Sequence, residues 1–218
     1  MDYILYFVLL AVGAYFFGGL NGAILTSRLV YKEDIRQHGS GNAGMTNFLR
    51  TYGRQAAFLM ILIDVTKTAL PVIAGGMVFE AFLSYGTVDE RMIIGRTFGA
   101  FFTMLGHAYP CLYGFKGGKG VLAGGTAALF LDGYVFLVAI GVFLLVTLLT
   151  RYVSLGSMLA GLALPIAFII FGMDLWATLI ATLCGVFIVF RHRDNILRLL
   201  TKQERKLNFG KKREVDRS

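Results

Sequence analysis

Residues 121–150 read VLAGGTAALFLDGYVFLVAIGVFLLVTLLT, and how this stretch divides decides the fold. Its 30 residues are apolar except for a few small polar ones and Asp132-Gly133 near the middle. A membrane-spanning helix needs about 20 apolar residues, so the stretch is either one overlong helix or two short ones. A carboxylate at the bilayer centre costs about 2.5–3.5 kcal/mol on insertion scales, and Asp-Gly is a turn dipeptide. Two helices meeting at Asp132 are therefore expected. The first, 121–131, would be only about 16 Å long at 1.5 Å per residue, so it needs a thinned bilayer or shielding neighbours.

Working outward, further apolar segments cover residues 3–26, 93–112, 155–171 and 175–190. Another covers 56–82 and is interrupted by Asp64, Lys67 and Pro71. Splitting the central stretch makes seven crossings, and charge supports that number. Residues 28–54, the Lys116/Lys119 loop, Arg151 and the tail from Arg191 then share one face, which carries 18 of the 21 Lys and Arg residues. One long central helix would put the first basic loop and the tail on opposite sides. Cytoplasmic loops are enriched in Lys and Arg. The expectation is an all-α integral membrane protein with seven transmembrane helices, N-terminus outside and C-terminus cytoplasmic. Residues 1–205 would form one transmembrane catalytic domain, and 206–218 a basic, disordered tail. Met1-Asp2-Tyr3 lacks a basic region, so no cleaved signal peptide is expected.

Composition agrees. The 218 residues are 56% hydrophobic and 16% charged, against about 25% charged in soluble domains. Mean hydropathy is +0.68. That much apolar surface excludes both a soluble and a disordered chain. The net charge of +8 sits in loops and tail, as the inner leaflet of a membrane requires, and no nucleic acid is expected as partner. Cys111 and Cys184 lie in apolar stretches and suggest packing rather than a disulfide framework. The small-residue pairs Gly18/Gly22, Gly95/Gly99 and Gly120/Gly124 are spaced for close helix contact.

Four polar stretches fall on the basic face: GSGNAGMTNFLR (39–50), GHAYPCLYGFKGGKG (106–120), RYVSLGS (151–157) and HRDN (192–195). Short connectors need only a turn, and these contain far more. Glycine lets backbone N–H groups converge on a phosphate. Ser and Asn add donors, Arg50 a planar fork, and Lys116 and Lys119 point charges. A helix beginning near 42–47 would add its dipole. Solvated positive-inside loops would explain the charges alone, but not the Ser-Gly-Asn and Lys-Gly-Gly-Lys contexts together. Gly39, Gly41 and Gly44 match a dinucleotide fingerprint formally, without the strand it requires. Lys119 is followed by Gly120 where a P-loop needs Ser or Thr. No nucleophile elbow, HxxxxD pair or metal-ligand pattern is present. Asp64 and Lys67 share a helical face, as a functional or a structural ion pair.

Taken in series, these stretches resemble the bacterial acyl-phosphate:glycerol-3-phosphate acyltransferase family. The resemblance rests on Gly39-Ser40-Gly41-Asn42 with Thr46, Asn47 and Arg50, and on Gly106-His107, Pro110 and 115–120. It continues through 151–157 to His192-Arg193, Asn195-Ile196 and Arg198. Met45 departs from the family's usual Ala. The resemblance implies transfer of a fatty acyl group from acyl phosphate to glycerol 3-phosphate, giving lysophosphatidic acid and phosphate, at the bacterial inner membrane with the site facing the cytoplasm. No cofactor or metal is implied, the partners are the two substrates and membrane lipids, and a monomer is expected. His192, Lys116 and Ser154 are the implied catalytic residues. Ser40, Gly41, Asn42, Thr46, Asn47, Arg50, His107, Gly117, Gly118, Lys119, Gly120, Arg151, Gly156 and Asn195 are the implied substrate-binding ones. Within that set, His192 is expected to hold a phosphate and His107 the turn before Pro110, with a substrate phosphate assisting proton transfer. The rival reading is a transporter for a small phosphorylated anion. Transporters favour repeats and midplane sites, whereas these motifs crowd one face.

Overall fold

The computed structural model describes residues 3–207 and is all-helical over that range. In order the helices are α1 (Tyr3–Gly19), α2 (Gly22–Thr26, continued by a π-turn), α3 (Met45–Phe82), α4 (Val88–Ala108), α5 (Val121–Leu131), α6 (Gly133–Thr150), α7 (Val153–Ile170), α8 (Leu175–Arg191) and α9 (Arg193–Leu200). The central stretch does divide at Asp132. The Asp132 carboxylate accepts from the N–H groups of Tyr134 and Val135 at 2.8 and 3.0 Å. It therefore starts α6 as an N-cap instead of lying unpaired inside a longer helix.

Among the described residues α3, α6 and α7 are each long and apolar enough to cross a bilayer. Two bent pairs, Tyr3–Gly19 with Gly22–Tyr31 and Leu175–Arg191 with Arg193–Leu200, bring the number to five. The other two expected crossings differ for simple reasons. α4 carries Asp89, Glu90, Arg91 and Arg96 toward its start, and α5 has only 11 residues. One further departure lies in α3, which begins at Met45 rather than at 56 and is broken at Gly53 by φ +82°. Glycine adopts that backbone without a Cβ penalty. The break separates a polar opening segment from the apolar remainder.

α1, α3 and α4 pack on one another, α7 packs between α6 and α8, and α8 leans on α4. The short α5 is wedged against α3, α4 and α6, the shielding that its length demands. Contacts are close because glycines meet backbone: Gly18 lies on Thr103, Gly106 on Tyr15, Gly75 on Gly95 and Gly185 on Gly161. Of the expected small-residue pairs, Gly120 alone serves differently, as the left-handed residue before α5. Outward faces stay apolar. α6 buries only Val135, Ala139 and Thr147 and exposes Leu144, Leu145, Leu148 and Leu149. An apolar plug including Ile94, Leu131, Val135, Leu164 and Phe168 fills the end of the bundle opposite the basic loops.

A Cβ at Gly106 would collide with the backbone of Tyr15, which cannot move away alone. Overpacking of this kind costs about 1–3 kcal/mol, so Gly106→Ala is expected to lower the thermal transition of the detergent-solubilised protein measurably. Gly141→Ala meets nothing within 4 Å and is expected to leave it unchanged or slightly raised.

Candidate active site

A cavity of about 750 Å³ opens among the basic loops and runs down between α4, α5, α6, α7 and α8. Its upper wall is polar, with Ser40, Asn42, Arg50, Lys119, Ser154, His192, Asn195 and Arg198. Its lower wall is mainly apolar, with Ala100, Met104, Phe136, Ile140, Phe143, Leu164 and Cys184 beside Thr97 and Thr126, and it ends against the plug at Leu131.

Three bundle helices and the short α9, which follows His192, start at the polar rim, and none of the four is capped by a side chain. α3 begins after Gly44, α5 after Gly120 and α7 after Tyr152, each without a side-chain acceptor for its first turn. Residues from all three starts line the cavity. Three helices that start at the opposite face are self-capped: α4 by Thr87 with Glu90 in a capping box, α6 by Asp132 and α8 by Asp174. Unfilled first-turn N–H groups and the positive dipole end favour an anion.

The 39–44 loop is shaped from within. Asn47 donates to the carbonyls of His38 (2.9 Å) and Ile35 (3.4 Å) and accepts from the N–H of Ser40 at 3.0 Å. Its amide therefore holds the loop and leaves Ser40 and Asn42 free to face the cavity. Arg36 ties this loop to the next one, donating to the carbonyls of Tyr113 (2.7 Å) and Lys116 (3.1 Å). Arg50 makes no ion pair among the described residues. Burial and the neighbouring Arg205 charge pull its pKa down, so two cations converge here.

The far wall is a network centred on Glu204. Its Oε1 accepts from Ser154 Oγ (2.6 Å) and Asn195 Nδ2 (2.7 Å), and its Oε2 from Arg198 Nε (2.8 Å). Burial alone would raise this carboxyl's pKa, but those donors hold it below the ordinary value. Asn195 Oδ1 in turn accepts from Lys119 Nζ. Burial first, and then the Arg198 charge, push the Lys119 ammonium down to about 8. His192 is buried, and its Nδ1 lies 2.8 Å from the carbonyl of Ile188. A carbonyl can only accept, so Nδ1 carries the hydrogen and Nε2 keeps its lone pair. Burial pushes this histidine down to about 4, so the ring is neutral at pH 7. A neutral ring of that tautomer offers an acceptor, which suits a hydroxyl better than the phosphate expected from sequence.

Most of the expected site residues meet at this cavity: Ser40, Gly41, Asn42, Thr46, Asn47, Arg50, His107, Lys119, Gly120, Ser154, His192 and Asn195. Five do not line it. Lys116 is exposed, and its carbonyl is held by Arg36. Gly117 and Gly118 pack against the end of α4, where a Cβ on either would collide with His107. Gly156 seats α7 on Thr147 and Phe143 of α6. Arg151 is exposed, has φ +62°, and accepts at its carbonyl from the N–H of Leu207. Sequence reading missed Glu204 and Arg205, which fold back over the rim on the strap 203–207. Their one signal was an acid inside a basic run. Of the expected tail, 208–218 lies outside the described residues.

The profile of the family described as Glycerol-3-phosphate acyltransferase matches residues 8–202. A glycerol-3-phosphate acyltransferase of Finegoldia magna is 39% identical over 208 residues, covering 95% of this chain and 98% of that protein. One from Bacillus subtilis is 35% identical over 205 residues, covering 92% and 97%. The crystal structure of PlsY, an integral membrane glycerol 3-phosphate acyltransferase, in its glycerol 3-phosphate form superposes with a TM-score of 0.83 at 30% identity. It covers 93% of this chain and 96% of that one. The lysophosphatidic acid form gives a TM-score of 0.81.

Lys119 is charged below pH 8 and loses its proton as pH rises through about 8. The kcat/KM for a phosphate-bearing substrate is therefore expected to fall above about pH 8. In Lys119→Arg, whose guanidinium stays charged, whatever activity remains is expected to lack that limb.

Proposed function

The chain belongs to the glycerol-3-phosphate acyltransferase family, and from that premise we propose that it transfers a fatty acyl group from acyl phosphate to glycerol 3-phosphate, releasing lysophosphatidic acid and inorganic phosphate. It is a membrane-embedded acyltransferase. The observation that carries the reading is the pairing of one apolar slot with a rim of uncapped helix N-termini and cations. Both substrates bear phosphate, and one bears a long apolar chain. An acyl chain lying in the slot leaves its phosphoanhydride at the rim, beside a bound glycerol 3-phosphate.

The chemistry then needs little more than placement. An acyl phosphate already carries a good leaving group, so direct attack by the glycerol hydroxyl on the carbonyl carbon suffices. Holding the two reactants together supplies much of the acceleration. In this reading Ser40, Asn42 and Arg50 bind one phosphate. Lys119, Arg198 and the start of α5 stabilise charge on the departing one. Ser154 and Asn195 brace Lys119 and Arg198 through Glu204. His192 Nε2 accepts from and orients the attacking hydroxyl, whose proton passes to a substrate phosphate, itself a base with a pKa near 6 by analogy with phosphoserine.

The membrane arrangement follows from the same reading: seven crossings, N-terminus outside, and rim and tail in the cytoplasm of a bacterial inner membrane. The chain would work as a monomer with its substrates and lipids as partners, and residues 1–205 would be the catalytic domain.

Two measurements test this. Purified protein is expected to make lysophosphatidic acid from acyl phosphate and glycerol 3-phosphate, identified by product mass. Comparable turnover with acyl-CoA or acyl carrier protein would overturn the donor assignment. Cysteines placed at Lys116 and Tyr85, in a background lacking Cys111, are expected to react only from inside and only from outside intact cells, respectively. The reverse pattern would overturn the topology.

A further inference from the structure

Beneath the Gly118 loop lies a buried chain of polar groups that the proposed reaction does not use. Asp64 and Lys67 project from α3 three residues apart, with side chains 1% and 2% exposed, and pair at 2.8 Å. Asp64 Oδ1 also accepts from the N–H of Gly22 at 3.0 Å. Lys67 Nζ lies 2.9 Å from His107 Nδ1. His107 lines the cavity at the end of α4.

The hydrogen in that last contact can be assigned by elimination. A lysine ammonium beside a carboxylate has donors and no acceptor. His107 Nδ1 must therefore accept, and a ring that accepts at Nδ1 carries its hydrogen on Nε2. Nε2 sits where a Cβ on Gly118 would stand, and no hydrogen bond joins it to any described residue. His107 thus offers a donor, whereas His192 in the same cavity offers an acceptor.

We infer that Asp64 and Lys67 are positioning residues that hold His107 in its Nε2–H form, so that the ring donates a hydrogen bond to a phosphate or carbonyl oxygen of bound substrate beside Gly118. This rests on the proposed acyl transfer. A purely structural ion pair is the competing explanation. It explains less, because apolar residues often replace a buried pair without loss of stability. Apolar residues could not fix a tautomer. Asp64 Oδ2, buried and unpartnered among the described residues, likewise marks a pair not optimised for stability alone. Glycine at 118 lets the loop backbone pack onto the ring, since a Cβ there would collide with Nε2, while the ring still lines the cavity.

The test combines a spectroscopic and a kinetic readout on the full-length protein. With ¹⁵N-labelled histidine, the nitrogen shifts of His107, assigned by loss of its signals in His107→Gln, are expected to show a protonated Nε2 and a bare Nδ1 at pH 7. A hydrogen on Nδ1, or an imidazolium, would overturn the inference whatever the enzyme catalyses. His107→Gln places an amide near the Nε2 position, and His107→Asn near the Nδ1 position. Losing a hydrogen bond to a charged group is worth about 1.5–3 kcal/mol, so His107→Asn is expected to lose about 10- to 100-fold in kcat/KM and His107→Gln only a few-fold. Equal losses in both, or a more active His107→Asn, would overturn the donor role. The double variant Asp64→Asn/Lys67→Met leaves no buried charge unpaired. If it folds, it is expected to mix the His107 tautomers and lower kcat/KM, and unchanged kinetics would overturn the positioning role. If it does not fold, the Gln/Asn pair and the wild-type spectrum decide. Absence of acyl transfer by wild-type protein would instead count against the proposed reaction and leave the tautomer result standing.

Discussion

Backbone N–H groups at the start of a helix must be satisfied by something, and the two ends of this bundle meet that demand differently. At one end Thr87 with Glu90, Asp132 and Asp174 cap their own helices. At the other, α3, α5 and α7 begin at residues with no side chain capping them. Those three starts surround one cavity. Its positive character is thus built into the backbone before any Lys or Arg is counted. The cations then add charge where the dipoles already point, and the neighbouring apolar slot keeps water away and strengthens every such interaction.

Order at the rim depends on groups that are not aimed at substrate. Asn47 spends its amide on the 38–40 backbone. Glu204 joins α7 to α9 through Ser154, Asn195 and Arg198. Arg191 donates to the carbonyl of Gly118 at 3.1 Å while its guanidinium stacks on Tyr109. The Ser154–Glu204 and Arg191–Gly118 ties connect elements distant in sequence, and the others fix local turns. Together they fix the positions of flexible side chains such as Lys119, as a site that works by placement requires.

Much of this was legible in the sequence, for identifiable reasons. The break at Asp132 could be read because a carboxylate in an apolar run has few other uses. The loops could be read because glycine, serine and asparagine beside cations exceed what a connector needs. Other features depend on contacts that a linear pattern does not encode. The break at Gly53 is one, since glycine inside a helical pattern carries no unique signal. The return of 203–207 over the rim is another, because Glu204 becomes meaningful only beside Ser154 and Asn195. Lys116 and Lys119 look equivalent as Lys-Gly-Gly-Lys, yet the turn around Gly117 and Gly118 sends one into solvent and the other to Asn195. The capping contrast was half visible: Asp132 and Asp174 precede their helices plainly, but an absent cap is silent.

In the proposed reaction a single cavity holds the acyl chain between α5, α6, α7 and α8 while its phosphate stays at the rim. A non-hydrolysable acyl phosphate analogue with a photoreactive group near the end of the chain tests it directly. After irradiation, mass spectrometry is expected to find the adducts on slot residues such as Phe136, Ile140 and Leu164, suppressed by excess unlabelled acyl phosphate. Adducts confined to outward faces such as Leu145 and Leu149 of α6, unaffected by that competitor, would contradict it.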